Sequence, residues 1–299
     1  MSRAVVLSDF GPPAVLQSAE VTIPVPGPTQ IRIAARLSGI GPTDLAIRSG
    51  ALKAFPASTG TVLGFETAGV VESVGRDVTD VSAGDEVAAF LPELGGYAAL
   101  VLADYWVRKP NRVSWDDAAA LPASGEAAVR VLNQLAVTSA DTVLILGGTG
   151  SVGTVATQIA VARGARVVAA VRREDFAAAE ALGAIPVEYG PQLTAAVAGV
   201  GRIDAVFDAA RNSDLAAAVQ IAGGPTRVIS LSNHLAGDFG VRLSGPDPVG
   251  VVAALQEAMT RMAEGGLVLR EHITVPLADA ATAHARLEGG ERTKFLLAI

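Results

Sequence analysis

The sequence predicts an α/β chain of two domains, a mostly antiparallel β domain interrupted by a doubly wound parallel-sheet domain. Three observations carry this prediction. Residues 142–173 read as strand, glycine-rich turn, helix and second strand. Beyond Arg173, short apolar runs and helical segments keep alternating, as in a parallel sheet covered on both faces. The first hundred-odd residues and those after Glu271 instead carry short β-type runs separated by Gly, Pro and Asp. A chain of 299 residues exceeds one ordinary domain, so two are expected: residues 1–115 with 268–299, and residues 116–267.

In chain order, Ala4–Leu7, Ile31–Leu37, Thr67–Val74 and Glu86–Phe90 are the β-type runs of the first domain. Ile31, Ile33 and Ala35 alternate with Arg32, Ala34 and Arg36, as in a half-exposed strand. Pro24, Pro26 and Pro28 mark an extended connector. Ser114, followed by Trp115-Asp116-Asp117, reads as a helix cap with acids in the first turn. An alanine-rich helix and a second helix over Ser124–Leu135 then lead to Val143–Leu146, an apolar run suited to a strand buried on both faces.

Gly148, Gly150 and Gly153 follow this run in the spacing G-x-G-x-x-G. The first would allow a tight turn, the second a close approach of backbone to a pyrophosphate, and the third close packing of helix on strand. Thr149, Ser151 and Val152 fill the loop. The helix Val152–Ala162 would turn its free N–H groups and positive dipole end toward the phosphates. Gly164 closes it, and Arg166–Val171 is the next strand. An NAD site places Asp or Glu at the end of that strand to hold the ribose hydroxyls. Here the strand runs into Arg172 and Arg173, with no carboxylate before Glu174, which favours a 2′-phosphate and hence NADPH. The alternative is that both arginines only solvate a helix start. The alternation continues with helices over Phe176–Leu182, Leu193–Val200, Leu215–Ile221 and Val249–Glu264. Strands are expected over Pro186–Glu188, Ile203–Phe207 and Arg227–Leu231.

Charged residues make up 18% and hydrophobic ones 50%, enough for a large core and too few charges for a disordered chain. A net charge of −7 argues against nucleic acid or an anionic membrane as partner. The absence of cysteine removes disulfides, thiolate chemistry and cysteine-bound metals. The apolar run at the N-terminus is too short for a signal peptide. Thr142–Ala162 is uncharged and long enough to span a bilayer, but its glycines and hydroxyls fit a nucleotide loop better. A soluble cytoplasmic protein is expected.

Several phrases recur in the order found in one family. They are Gly39-Ile40-Gly41-Pro42-Thr43-Asp44 with Ile47-Arg48-Ser49-Gly50, and Leu63-Gly64-Phe65-Glu66-Thr67-Ala68-Gly69 running on to Gly75. Gly84-Asp85-Glu86-Val87, Gly96-Tyr97-Ala98, Ala118–Pro122 and the glycine loop follow. Over nearly its whole length the chain resembles the zinc-free, quinone-oxidoreductase-like branch of the medium-chain dehydrogenase/reductase superfamily. The resemblance implies a GroES-like catalytic domain and a Rossmann cofactor domain. It also implies a polar substrate cleft, hydride transfer from a nicotinamide to a small-molecule substrate, and a homodimer. In the zinc-dependent branch the metal is held by a Cys at the position of Gly41, a His at that of Phe65 and a third ligand near Ala123. None of these residues offers a donor side chain, and His234, His272 and His284 show no metal spacing, so no metal is expected.

Without a Lewis acid, reduction of a plain carbonyl is disfavoured. An alkene conjugated to a carbonyl can take hydride at its β-carbon, leaving an enolate that needs only hydrogen-bond donors or a proton. The resemblance therefore implies NADPH-dependent reduction of enones, quinones or enoyl thioesters. Metal-free carbonyl reduction and a non-redox role on the same fold are the alternatives. The chain departs from its relatives at Gly41, Ala46 and Ala127, where they carry Asn, Tyr and Thr. Thr43 stands at the position of a relay hydroxyl, or caps a turn before Asp44. Glu126 is an acid–base candidate or a helix-start carboxylate. Ser232, a cofactor contact, and His234, a proton donor or a surface histidine, lie at the C-terminal end of a sheet strand, where cofactor crevices open. Tyr189 matches a family position beside the adenosine phosphate, and Lys294 a basic residue near the pyrophosphate.

Overall fold

The computed structural model describes residues 1–52 and 55–299. The chain divides into two units, 1–123 with 270–299, and 124–269. The first begins with β1 (Ser2–Leu7), β2 (Leu16–Val21), β3 (Ile31–Gly39) and α1 (Pro42–Arg48). It continues through β4 (Glu66–Val74), β5 (Glu86–Phe90), β6 (Leu100–Ala103), β7 (Tyr105–Arg108) and α2 (Trp115–Ala120). α3 (Pro122–Gln134) opens the second unit, followed by β8 (Thr142–Leu146), α4 (Ser151–Ala162), β9 (Arg166–Val171), α5 (Phe176–Ala181) and β10 (Ile185–Glu188). Then come α6 (Leu193–Ala198), β11 (Ala205–Asp208), α7 (Leu215–Ala222), β12 (Val228–Ser230), β13 (Arg242–Leu243) and α8 (Val251–Ala263). The chain returns to the first unit with β14 (His272–Pro276), α9 (Ala280–Glu288) and β15 (Lys294–Ala298).

In the first unit β14, β15, β3, β4, β5 and β7 lie side by side in one sheet, with β6 paired to β3 and β1 paired to β2. All these pairings are antiparallel except β14 with β15. The expected alternation holds over Ile31–Ala34, where Ile31 and Ile33 are wholly buried, with Val71, Val87 and Val101 among their core neighbours. It breaks at Ala35, half-buried like Ala34, where the register against β4 shifts. A second core gathers Leu7, Ile47, Leu63, Tyr97, Phe295 and Leu297. The second unit holds a six-stranded sheet in the order β10-β9-β8-β11-β12-β13, parallel throughout. Its central strands bury both faces, so Val143–Leu146 and Val167–Ala170 had to be apolar without a break.

The predicted elements lie within a residue or two of those observed. Two readings need correction. The boundary expected at 115/116 falls at 123/124, because α2 packs on β3, β4 and β5 of the antiparallel sheet. The one at 267/268 falls at 269/270, Val268 being hydrogen-bonded to Gln158 of α4. Ser114 does cap that helix, its Oγ accepting the Asp117 N–H at 3.0 Å. The stretch after Gly41, for which a turn before Asp44 is one of two expectations, is the two-turn helix α1.

Candidate functional site

The turn between β8 and α4 is built by glycine, but not by the triplet alone. Gly147, outside the G-x-G-x-x-G spacing, takes the positive φ of +75°. Its N–H donates to Ala170 of β9 at 2.9 Å, and its carbonyl accepts the Gly150 N–H at 2.8 Å. The tight turn assigned to Gly148 therefore belongs to Gly147. A Cβ on Gly148 would lie 2.7 Å from the Ala169 methyl, so this glycine lets the turn sit against β9. A Cβ on Gly153 would lie 2.0 Å from the Gly147 carbonyl oxygen, which is the close packing expected of the third glycine.

Gly150 is the N-cap of the twelve-residue α4 and, having no side chain, puts no capping group on the first turn's N–H groups. That bare positive helix end, with Thr149 buried and Ser151 and Val152 at its rim, fits a phosphate.

At the end of β9 both arginines project into solvent and both are paired. Arg172 reaches Glu174 at 3.1 Å and Asp175 at 3.7 Å, while Arg173 reaches Glu188 at 2.7 Å. Tyr189 follows Glu188; its N–H donates to Val171 at 2.8 Å and its hydroxyl to the Asn212 carbonyl at 2.9 Å. Burial, then Asp208 and Asp214, raises its phenol above the ordinary value. Sequence reading missed Glu188, because only the parallel pairing of β10 with β9 brings it beside the arginines.

Asp208 was also missed. It ends β11, is wholly buried, and accepts from Ser213 Oγ and Ser230 Oγ at 2.6 Å each and from the Ala210 N–H at 3.1 Å. Burial raises its carboxyl despite these donors. Asn233 joins the cluster through Ser213 and Ser230, so the loops after β11 and β12 are tied together. Ser232 and His234 lie exposed on the second of these loops, Ser232 Oγ being 3.4 Å from the Ala210 carbonyl. Glu126 is not a helix-start carboxylate: it lies beyond the first turn of α3 and is buried against Arg130 at 2.7 Å. Arg130 also donates to Ser244, whose hydroxyl donates to Gln134 at 2.8 Å.

The phrases of the first unit converge on a buried polar cluster. Asp44, not Thr43, caps α1: its Oδ2 accepts the Gly41 N–H at 2.8 Å and its Oδ1 the Gly64 N–H at 2.9 Å. Thr43 is exposed beside it. Burial outweighs these two donors and pushes Asp44 up to about 7. Lys294, expected near a pyrophosphate, pairs with the buried Glu66, which also accepts the Ala123 N–H at 2.9 Å. Tyr97 Oη and His284 Nε2 lie 3.0 Å apart. Burial, aided by Arg48, pushes His284 down to about 3, while burial and the nearby Asp44 and Glu66 carboxylates raise Tyr97 well above 10.0. Among the described residues no three His, Cys, Asp or Glu side chains converge to hold a metal ion. Nor is any helix among them long and apolar enough to cross a membrane.

Known proteins share this architecture. Residues 27–106 match the family described as the alcohol dehydrogenase GroES-like domain. A quinone oxidoreductase of Mus musculus is 35% identical over 179 residues, covering 58% of this chain and 54% of the mouse protein. The chain thus spans about half the length of the curated relatives it matches first. An NADPH-dependent alkenal/one oxidoreductase of Arabidopsis thaliana is 30% identical over 245 residues, covering 77% of this chain and 62% of that one. The solved quinone oxidoreductase of Coxiella burnetii superposes with a TM-score of 0.88 at 28% identity, covering 100% of this chain and 99% of its own. Motif order, the pair of sheets and these likenesses agree: the chain belongs to the quinone-oxidoreductase-like branch of the medium-chain dehydrogenase/reductase superfamily.

Proposed function

We propose that this protein is a zinc-independent, NADPH-dependent oxidoreductase that reduces an alkene conjugated to a carbonyl, as in a quinone, enone or enoyl substrate. The observation that carries the reading is the uncapped N-terminus of α4 behind Gly147–Gly150, on the same sheet as two arginines at the end of β9. When bound, the reduced nicotinamide supplies a hydride to the substrate β-carbon. The glycine turn holds the pyrophosphate through backbone N–H groups, and Arg172 and Arg173 meet the 2′-phosphate. The names of the mouse and Arabidopsis relatives support the same class of substrate.

The residues themselves disfavour a plain carbonyl substrate. The side chains of Gly41, Phe65 and Ala123 offer no metal donor, so a developing alkoxide would lack a Lewis acid. An enolate spreads its charge and needs only a hydrogen-bond donor, for which Thr43 and His234 are the exposed candidates. Glu126 is buried and engaged by Arg130, so it is not among these exposed candidates. Homodimerisation belongs to the same reading. Phe239 and Leu243 are 40% and 54% exposed at and beside β13, the edge strand of the parallel sheet, an apolar edge suited to a second copy.

Two measurements test this reading. NADPH absorbance should fall with quinones and enones and stay unchanged with saturated aldehydes; consumption with the aldehydes alone would overturn it. Replacing Arg172 and Arg173 together by alanine should weaken NADPH about tenfold or more, since two charged hydrogen-bond donors are lost, and leave NADH nearly as it was. Equal weakening of both nucleotides would remove the 2′-phosphate role.

A further inference from the structure

The two arginines at the end of β9 differ in what neutralises them. Arg172 pairs with Glu174 and Asp175, its neighbours in sequence. Arg173 pairs with a residue from another strand. Glu188 stands directly opposite Val171 in the parallel register of β10 on β9, and the next residue's N–H donates to the Val171 carbonyl. The backbone of Glu188 is thereby fixed at the strand end where a ribose-reading carboxylate would otherwise project from β9 itself. From there its Oε2 accepts from Arg173 Nη2 at 2.7 Å. Arg173 is also steadied over the Phe176 ring at 5.6 Å.

Resting on the dinucleotide reading of the glycine loop, we propose that Glu188 is a specificity-determining residue that competes with the 2′-phosphate of NADPH for Arg173. The local charge supports this. Three carboxylates, Glu174, Asp175 and Glu188, surround two guanidiniums, so an incoming phosphate meets a surface that is already neutralised. Arg173 and Glu188 are 75% and 50% exposed, which leaves the pair weak, open to solvent and free to exchange partners. A phosphate can form a bidentate pair with Arg173 only after displacing Glu188, and it then lies close to the displaced carboxylate. NADH carries no 2′-phosphate and leaves the pair intact. Glu188 therefore narrows the preference for NADPH that the arginines alone would create.

The test is direct binding of NADPH and NADH to the full chain by titration calorimetry, at low and at moderate salt. Glu188→Gln should tighten NADPH about three- to tenfold at low salt, less at moderate salt, and leave NADH within about twofold. In the Arg173→Ala background the same substitution should have a much smaller effect, because the contested guanidinium is gone. An equal gain in both backgrounds, an equal change for both nucleotides, or no change would overturn the proposal. If the unaltered protein binds NADPH and the variant behaves identically, this inference alone fails. If the unaltered protein binds neither nucleotide, the cofactor reading fails and takes the inference with it.

Discussion

Asp44 answers two backbone N–H groups and is still pushed up from 3.8 to about 7, because full burial costs its carboxylate more than those bonds return. Its folded value lies above its unfolded one. Its contribution to stability is therefore complete below about pH 4 and is lost as pH rises toward about 7. His284 moves the other way, from 6.5 to about 3, so its contribution is complete above about pH 6.5 and is lost as pH falls toward about 3. Between about pH 4 and pH 6.5 the two slopes oppose each other, each at up to about 1.4 kcal/mol per pH unit. Asp44→Asn should leave His284 unopposed, so stability rises with pH across that window. It should also cost about 1–3 kcal/mol, since one of the two N–H groups loses its acceptor. His284→Gln should make stability fall with pH instead. Urea midpoints at either end of the window decide it, and three identical pH profiles would refute the assignment.

At the scale of elements, α4 is held on its turn by a contact that admits no side chain. Alanine in place of a helical glycine ordinarily gains about 1 kcal/mol of helix propensity. At Gly153 the added Cβ would stand 2.0 Å from the Gly147 carbonyl oxygen, and backbone on both sides leaves nothing flexible to give way. Overpacking of this kind costs about 1–3 kcal/mol, so sterics should win. Gly153→Ala is expected to lower the thermal midpoint and to weaken NADPH and NADH alike, because the shifted helix end serves the pyrophosphate they share. A variant with the binding of the unaltered protein would show that the contact is not needed. The motif revealed this packing but not the turn, since Gly147 lies one place ahead of the spacing that defines the motif.

At the scale of the molecule, the apolar residues beside β13 bear on assembly. The proposed dimer would bury Phe239 and Leu243, so Phe239→Glu with Leu243→Glu should convert a dimer to a monomer in light scattering coupled to gel filtration. An unaltered protein that is already monomeric would end the proposal. The sequence alone was sufficient for the alternation of elements, the packing glycines of the loop, the two arginines that end β9 and the family phrases. Each of these is a local pattern, set by residues near one another along the chain. The phrases that carry the resemblance largely build a buried polar cluster, with Asp44 joining Gly41 to Gly64 and Glu66 meeting Lys294. Only the tertiary structure decided which carboxylate faces Arg173, that Glu126 is spent on Arg130, and that Lys294 answers Glu66 across 228 positions. The reason is physical: a charge takes its meaning from the partner that burial and strand register bring to it, and no spacing in the chain records that partner.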